Sequence, residues 1–214
     1  MTSMQRTEVE IPETDKVCSG YLNIYAEIFK PFLGRKITLL ELGVARGGSL
    51  LLWQDWFPDG TIIGIDKDLG PLVREPLARE RVRCYEGYQD DQLFLTKIAT
   101  LEGPFDIIID DCSHSADPTR ESFLFLFEYL KPDGLYCIED WGTGYWDHPE
   151  FDGQRYQGPG HRAGMVGFVK ELVDEVGMRD ITDERFGIPP IRPSRFVNLT
   201  IYPGIVIVRK PCGS

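Results

Sequence analysis

Short apolar runs alternate with amphipathic stretches along most of the chain. Five such runs predict strands, and they cover residues 37–42, 61–65, 81–85, 105–109 and 134–138. Helical periodicity lies before or between them, and it predicts helices over residues 21–29, 49–53, 91–100 and 119–130. Near-continuous apolar strands that alternate with helices are typical of a parallel sheet covered on both faces. The pattern therefore predicts a doubly wound α/β fold.

The pattern weakens in two places. Residues 1–16 are polar and aperiodic, which predicts an N-terminal arm and leaves residues 17–214 as a single domain. Residues 142–160 are rich in glycine, aromatic and acidic residues and are too polar for a core element. Long insertions of this kind in compact domains are usually functional loops or disordered segments.

Regular periodicity returns after this insertion. A helix is predicted over 165–176, and two apolar runs at 196–202 and 204–209 predict strands hinged at Pro203 and Gly204. Strands joined by so short a turn must run antiparallel. We therefore expect a mostly parallel sheet that ends in a C-terminal antiparallel hairpin at one edge.

Composition and charge narrow the classes of partner. The net charge is −11, from 23 basic and 34 acidic side chains, and such a field repels the phosphates of nucleic acids. No apolar run approaches the roughly 20 residues of a membrane span. The start of the sequence lacks a secretory leader, and the five cysteines include no C-x-x-C pair, so a cytoplasmic protein without disulfides is expected. A homo-oligomer is the default expectation for its assembly.

A glycine-rich turn follows the first predicted strand. It runs from Glu41 through Gly43 and Ala45 to Ser49, at the carboxyl end of a parallel strand, where open α/β sheets bind ligands. The second strand ends at Asp66, and an acid at that distance from the turn can accept hydrogen bonds from a ribose diol. These residues are therefore predicted to bind a nucleotide-containing cofactor.

Two cofactors fit this turn. The dinucleotide pattern G-x-G-x-x-G is only partly met, since Ala45 takes its second glycine position, whereas E-x-G-x-A-x-G resembles the S-adenosylmethionine (SAM) loop of class I methyltransferases. A purely structural turn is the third reading. In class I methyltransferases the segment after the third strand flanks the adenine, which implies a cofactor role for Gln89 and Asp90; an Asp-Asp pair there is equally a helix N-cap. Asp110 is a further cofactor candidate.

Acidic side chains also close the fourth and fifth strands. Asp110, Asp111 and His114 follow one strand, and Glu139 and Asp140 end the next, so all are expected at the same edge of the sheet. Gathered carboxylates repel one another unless a cation is present, and oxygen ligands suit Mg²⁺. Glu139 and Asp140 can both reach one ion only if the backbone leaves strand geometry between them.

The motifs D-D-x-S-H and I-E-D, 28 residues apart, resemble the metal-dependent sugar O-methyltransferases of macrolide and rhamnosyl antibiotic biosynthesis. The mycobacterial methylmannose polysaccharide O-methyltransferases are similar as well. The likeness spans about residues 14–146 and includes the T-D-K entry segment at Thr14, although Ser19 replaces a histidine and Cys112 a glycine of the family pattern.

This resemblance implies an activity and a set of roles. It implies transfer of a methyl group from SAM to a sugar hydroxyl, with Mg²⁺ held by Asp111, Glu139 and Asp140 and with His114 as the general base. The acceptor would be a mannose or oligomannoside of a methylated polysaccharide, or the sugar of a glycosylated natural product. For His114 alone, a helix-capping histidine is the alternative interpretation.

The loop at 141–161 carries the predicted acceptor residues. Tyr145, Trp146 and His148 combine aromatic faces with neighbouring glycines, which suits a lid that stacks on a sugar ring; a plain surface loop is the alternative. Three rival functions remain. A catechol-type O-methyltransferase ranks lower because no lysine base is evident near Asp111, an NAD-dependent oxidoreductase is disfavoured by Ala45, and a non-catalytic SAM-binding subunit would bind cofactor without methylating an acceptor.

Overall fold

A computed structural model describes residues 14–70, 81–178, 185, 187–188 and 194–213. The α-helices in this part of the chain are α1 (Tyr21–Ile28), α2 (Gly48–Trp56), α3 (Gln92–Glu102), α4 (Ala116–Leu126) and α5 (Gly164–Gly177). Short 3-10 helices cover Lys30–Phe32, Phe127–Tyr129 and Trp141–Tyr145. The strands are β1 (Thr38–Leu42), β2 (Thr61–Asp66), β3 (Val82–Glu86), β4 (Phe105–Asp110), β5 (Leu130–Glu139), β6 (Asn198–Ile201) and β7 (Ile205–Arg209).

The described strands form one sheet in the order β3-β2-β1-β4-β5-β7-β6. Strands β1 to β5 pair in parallel, whereas β7 runs antiparallel to β5 and β6 runs antiparallel to β7. The order reverses direction at β1 and β4, which is the position where open α/β sheets form a crevice. The predicted class, a Rossmann-like α/β fold with an antiparallel edge hairpin, is confirmed.

Apolar side chains fill both faces of the sheet. On one face α1 and α2 cover the sheet with a cluster of aromatic rings that includes Tyr25, Phe29 and Trp53. On the other face α3, α4 and α5 pack over a second cluster centred on Phe123 and Phe168. Because both faces are covered, β1 and β4 are buried along nearly their whole length, as the continuous apolar runs predict.

Most predicted elements agree with the structure to within two or three residues. The clearest differences lie around α4, which begins at Ala116 and passes into a 3-10 turn at Phe127, and at β5, which begins at Leu130. Leu130 pairs with Phe105 ahead of a register shift, so the strand starts before the apolar run that reveals it in the sequence. The arm predicted at 1–16 lies outside the described residues up to position 13.

Register brings the ends of the central strands to one edge. Leu42 pairs with Asp110, and Asp110 pairs with Ile138, so residues 43, 111 and 139 follow one another across the sheet. The Asp111 amide donates to the carbonyl of Leu42, which ties the segment after β4 to the end of β1. Among the described residues, none of the helices combines the length and the apolar character that crossing a bilayer requires.

Candidate active site

A cavity of about 620 Å³ opens at this edge of the sheet. The glycine turn after β1 forms one side, the ends of β2 and β3 form the second, and the segment after β4 forms the third. Of the residues predicted to bind cofactor, those that line the cavity are Gly43, Ala45, Ser49, Asp66, Gln89 and Asp90. Asp111 and His114 line it as well, together with Thr14, Asp15 and Lys16 from the start of the described chain.

Gly43 allows the two central strand ends to meet. Its φ is +85°, and a Cβ at this position would lie 1.9 Å from the carbonyl oxygen of Asp111, so any side chain would collide with backbone. The amides of Val44 and Ala45 donate to Asp66 Oδ2 at 2.8 and 3.0 Å. The carboxylate at the end of β2 therefore holds the glycine turn in place.

Glu41 lies beneath the turn rather than in the cavity. Its side chain is fully buried, and its Oε2 accepts hydrogen bonds from Ser49 Oγ at 2.8 Å and Trp53 Nε1 at 3.1 Å. Burial raises the pKa of Glu41 to about 7, although the nearby ammonium of Lys16 opposes the shift. In this structure the side chain anchors α2 to β1, and the predicted cofactor contact of Glu41 stays a prediction.

Asp110 is also buried and does not line the cavity. Its carboxylate accepts hydrogen bonds from Gln89, Ser122 and Tyr136, and burial raises its pKa to about 6. The predicted cofactor contact of Asp110 stays a prediction, because these partners leave no part of the side chain in the lining of the cavity. Gln89 uses its other end to accept from the amide of Ser113 at 2.9 Å, and it joins the cavity wall to the segment that carries His114.

The two acids that follow β3, Asp90 and Asp91, have different environments. Asp91 is the N-cap of α3, and its Oδ1 accepts from the amides of Leu93 and Phe94 at 3.0 and 3.1 Å. Asp90 lines the cavity. One residue thus caps the helix and the other stays available to a ligand.

Asp111, His114 and Asp140 form the compact group in the described part of the chain that could hold a metal ion. One ligand atom from each lies within 4.8 Å of the other two. His114 Nε2 is 3.9 Å from both Asp111 Oδ1 and Asp140 Oδ2. His114 and Asp140 both have a φ of +52°, so the backbone leaves strand geometry after Glu139, as the sequence requires if adjacent acids are to converge.

Glu139 has different partners in this structure. Its Oε1 accepts from Lys16 Nζ at 2.9 Å and from the Tyr25 hydroxyl at 2.6 Å. The same ammonium lies 2.5 Å from Asp111 Oδ2 and 3.4 Å from Glu41 Oε1. The structure therefore joins Asp111 and Asp140 to His114 and places Glu139 beside a lysine; its role as a metal ligand stays a prediction.

Lys16 is a buried cation and not part of a loose arm. Only 1% of its side chain is exposed. Burial lowers the pKa of Lys16, but the charges of Glu41, Glu139 and Asp111 outweigh this effect and raise the pKa well above its usual range. Burial and the neighbouring charge of Asp111 raise the pKa of Glu139 to about 8, although the ammonium of Lys16 opposes this shift. The lysine thus offsets the repulsion within the acidic group.

Two tyrosines of α1 complete the donors to these acids. The Tyr21 hydroxyl donates to Asp140 Oδ1 at 2.5 Å, and Tyr25 reaches Glu139 from one turn further along the same face of the helix. Burial raises the pKa of both phenols, so each hydroxyl stays a donor. Gly204, in the turn between β6 and β7, packs so closely on Tyr21 that a Cβ would lie 2.0 Å from the hydroxyl oxygen.

The predicted acceptor residues lie outside the lining of the cavity. Trp146 and His148 are about half exposed, and both rings pack against Phe151, whose ring centroid is 6.3 Å from that of His114. Tyr145 instead packs against Tyr156 and His161. Phe151 therefore lies between His114 and the rings of Trp146 and His148, whereas Tyr145 packs within the loop. The contact of all three residues with an acceptor stays a prediction.

The loop is tied to the site at its first turn. Thr143 Oγ1 donates to the carbonyl of His114 at 2.9 Å, and His161 Nε2 lies 2.6 Å from the carbonyl of Gly144. Asp152 Oδ2 accepts from the amide of Ala116 at the start of α4. These bonds fix the stretch after β5 against the segment that carries His114.

Sequence reasoning missed Lys16, Tyr21, Tyr25 and Phe151 as site residues. A signal for the lysine was available, because four acids at one edge need a cation and Lys16 belongs to the T-D-K segment. Tyr21 belongs to the G-Y pair that closes the same entry segment, whereas Tyr25 gave no separate signal, since its spacing is that of any apolar helix face. Phe151 follows no motif and reaches His114 only through the fold.

The glycine turn at the carboxyl edge of a parallel sheet, with an acid at the end of β2, is typical of domains that bind a nucleotide-containing cofactor. A family model for a methyltransferase domain matches residues 40–141, which include the turn and the acidic group.

Two relatives are similar to most of this chain. The chain is 34% identical to the mycinamicin VI 2''-O-methyltransferase of Micromonospora griseorubida over 87% of its length, and 36% identical to a rhamnosyl tetracenomycin-C 2'-O-methyltransferase of Streptomyces olivaceus over 91%. The chain is thus similar to macrolide and rhamnosyl sugar O-methyltransferases. It spans about half the length of these relatives, 47% of the first and 51% of the second.

A solved structure is similar to this chain as well. It is the MycE methyltransferase from the mycinamycin biosynthetic pathway, in complex with Mg, SAH and mycinamycin VI. Its TM-score with this chain is 0.77 at 33% sequence identity, and the match covers 90% of this chain and 49% of MycE.

Proposed function

We propose that this protein is a SAM- and Mg²⁺-dependent O-methyltransferase that acts on a sugar hydroxyl of a glycosylated small molecule. One observation carries the proposal. Asp111 and His114 line the cavity of the glycine turn and also belong to the candidate metal group, so cofactor, cation and general base share one edge of the sheet.

The cavity fits SAM in size and lining. Its volume of about 620 Å³ lies within the roughly 300–1,000 Å³ usual for small-molecule sites. Gly43 has no side chain and Ala45 only a methyl group on this side of the cavity, and Asp66 and Asp90 offer carboxylates to a ribose or an adenine. We assign cofactor contacts to Gly43, Ala45, Ser49, Asp66, Gln89 and Asp90.

The donor set fits a hard divalent cation. Asp111 Oδ1 and Asp140 Oδ2 accept no hydrogen bond among the described residues, and carboxylate oxygens are the ligands that Mg²⁺ prefers. Glu139 keeps one oxygen outside its bonds to Lys16 and Tyr25. We assign Mg²⁺ to Asp111 and Asp140, with Glu139 as the third carboxylate.

His114 is positioned to take a proton from the acceptor. Its Nε2 lies between the two aspartates at equal distance, and Thr143 and the left-handed backbone fix the residue. When bound, SAM supplies the methyl group and Mg²⁺ makes an alcohol easier to deprotonate. An acceptor hydroxyl beside Nε2 would give its proton to His114 while its oxygen forms the bond to the methyl carbon and the carbon–sulfur bond breaks, which leaves S-adenosylhomocysteine.

The aromatic rings beside His114 suit a sugar. Trp146 and His148 are about half exposed and pack against Phe151, whose ring centroid is 6.3 Å from that of His114, so their rings are the candidates to stack on an acceptor sugar. The named relatives act on macrolide and rhamnosyl sugars, which favours the sugar of a glycosylated natural product; an oligomannoside remains the second acceptor to test.

A catechol-type O-methyltransferase, the alternative activity, requires a lysine base near the metal site. The sequence shows no lysine base near Asp111, yet the structure places Lys16 Nζ 2.5 Å from that residue. This ammonium is buried between three carboxylates, which stabilise its charged form, and a protonated amine cannot act as a base. Lys16 therefore does not supply the base that the catechol mechanism requires.

A methyl-transfer assay with labelled SAM tests the proposal. The acceptors are rhamnosyl and other deoxysugar glycosides, mannose oligomers and catechol, each with Mg²⁺ and with EDTA. We expect transfer to a glycoside that stops in EDTA and resumes when Mg²⁺ is restored. Transfer to catechol alone, transfer insensitive to EDTA, or SAM binding without transfer to any acceptor would contradict it. Cell fractionation and analytical ultracentrifugation test the cytoplasmic and homo-oligomer predictions.

A further inference from the structure

We propose that Lys16, Tyr21 and Tyr25 are positioning residues that orient the three carboxylates of the metal site. This inference rests on the proposed function. These residues, which lie before and within α1, would act on metal binding through the carboxylates and not as ligands of the ion.

The donors divide the oxygens of each carboxylate. Lys16 binds Asp111 Oδ2 and Glu139 Oε1, Tyr25 binds the same oxygen of Glu139, and Tyr21 binds Asp140 Oδ1. Each acid thus has one oxygen held by residues 16–25. Asp111 Oδ1 and Asp140 Oδ2 are left beside His114, and no hydrogen bond to Glu139 Oε2 is present among the described residues.

The donors themselves are held firmly. Tyr25 is fully buried and its ring packs against Phe29 and Trp53, while Tyr21 is pinned by the turn at Gly204. Because the tyrosines lie four residues apart on one helix, their hydroxyls are fixed relative to each other. A carboxylate bound to such a donor cannot rotate freely, so its second oxygen is held in one orientation.

The lysine adds charge compensation. One carboxylate oxygen each of Glu41, Asp111 and Glu139 lies within 3.4 Å of Lys16 Nζ. The carboxylates of Glu41 and Glu139 are buried. Without the ammonium, mutual repulsion would drive the acids apart or favour their protonation. The lysine therefore lets Asp111 and Glu139 stay close before a divalent cation arrives.

Calorimetric titration of the full chain with Mn²⁺, with Mg²⁺ as competitor, tests this inference. The variants are Tyr21→Phe and Tyr25→Phe, which remove one donor without changing charge. Tyr85→Phe is the matched control, because the Tyr85 hydroxyl donates to Glu102 at 2.5 Å outside the cavity lining. Affinity for S-adenosylhomocysteine without metal and the thermal unfolding midpoint are measured for every variant.

We expect the Kd for Mn²⁺ to rise about tenfold or more in Tyr21→Phe and Tyr25→Phe, since loss of a partner that orients a metal ligand commonly weakens binding 10- to 100-fold. Tyr85→Phe should keep the wild-type Kd, and cofactor affinity should stay within about twofold in all three. If Tyr25→Phe does not fold, Tyr21→Phe decides. Equal Mn²⁺ affinity in folded Tyr21→Phe and Tyr85→Phe overturns the inference, whereas a wild-type chain that binds no Mn²⁺ overturns the proposed function and the inference with it.

Discussion

Lys16 places one ammonium among the carboxylates of Glu41, Asp111 and Glu139. Ion pairs on a protein surface contribute little to stability, but removal of one partner from a buried pair leaves the other charge without compensation. In this protein a single lysine compensates several acids at once. Its contribution to the folded state should therefore exceed that of an ordinary surface lysine.

Lys16→Met should lower the free energy of unfolding by about 3 kcal/mol, because the buried carboxylates lose their cationic partner. Urea denaturation in EDTA, without added metal, measures the change. Lys97→Met is the control, since Lys97 is exposed on α3, and it should change stability by less than about 0.5 kcal/mol. Equal stability of the two variants would contradict the role of Lys16.

His114→Ala should reduce the rate of methyl transfer by about 100-fold or more, because the proton acceptor beside the two aspartates is lost. Single-turnover kinetics with saturating SAM and Mg²⁺ measures the rate. Affinity for S-adenosylhomocysteine should persist, since the cofactor turn is unchanged. A wild-type rate in this variant would remove His114 from the mechanism.

The turn between β1 and α2 is the element on which the site depends most. It contacts the segment after β4 through Gly43, and it is held from below by Glu41 and from the side by Asp66. Backbone and not side chains therefore sets the distance between the cofactor turn and the acidic group. A change of backbone at Gly43 should disturb both.

Gly43→Ala should lower the free energy of unfolding by about 2 kcal/mol and weaken binding of S-adenosylhomocysteine at least tenfold, because the new Cβ would overlap the carbonyl of Asp111 and the residue has a positive φ. Urea denaturation and calorimetry measure the two effects. Gly177→Ala is the control, since Gly177 has open space around it at the end of α5. Wild-type cofactor affinity in Gly43→Ala would contradict the close contact.

The sequence predicts the helices and strands, because their apolar patterns are local. It does not predict which side chains from separate elements come into contact. The apolar run of β4 gave its position, but it did not show that Asp110 turns under α4 towards Ser122 while Asp111 faces the cavity. Successive residues of a strand point in opposite directions, and which one meets the ligand depends on the neighbouring layers. For the same reason Glu41 was taken as a cofactor ligand. The approach of Lys16 to Asp111 spans 95 residues, so no local pattern shows it, and only the T-D-K segment and the need of the acids for a cation point to the lysine.

The whole molecule gathers chemistry at one edge of its sheet. The glycine turn, the acidic group and the aromatic rings of the loop after β5 come from separate parts of the chain, and the parallel order of β1 to β5 brings them together. With a net charge of −11 the molecule attracts cations and repels polyanions. Both features fit an enzyme that uses a divalent cation and a small acceptor.

Removal of divalent cations should abolish methyl transfer while the fold persists, because Lys16 already compensates part of the acidic group. Many small metal sites behave otherwise and unfold without their ion. Circular dichroism and thermal unfolding in EDTA measure the fold, and the transfer assay measures the activity. Loss of the native spectrum in EDTA would show that the ion, and not the lysine, holds the carboxylates together.

The contact between Gly204 and Tyr21 joins positions that are 183 residues apart, 204 − 21 = 183, directly behind Asp140. A truncation that removes β6 and β7 would therefore remove the turn that packs against Tyr21, whose hydroxyl donates to Asp140. Circular permutants test the same dependence. New termini in a loop far from the site should leave metal affinity unchanged, whereas new termini between β6 and β7 should weaken metal binding before any other property.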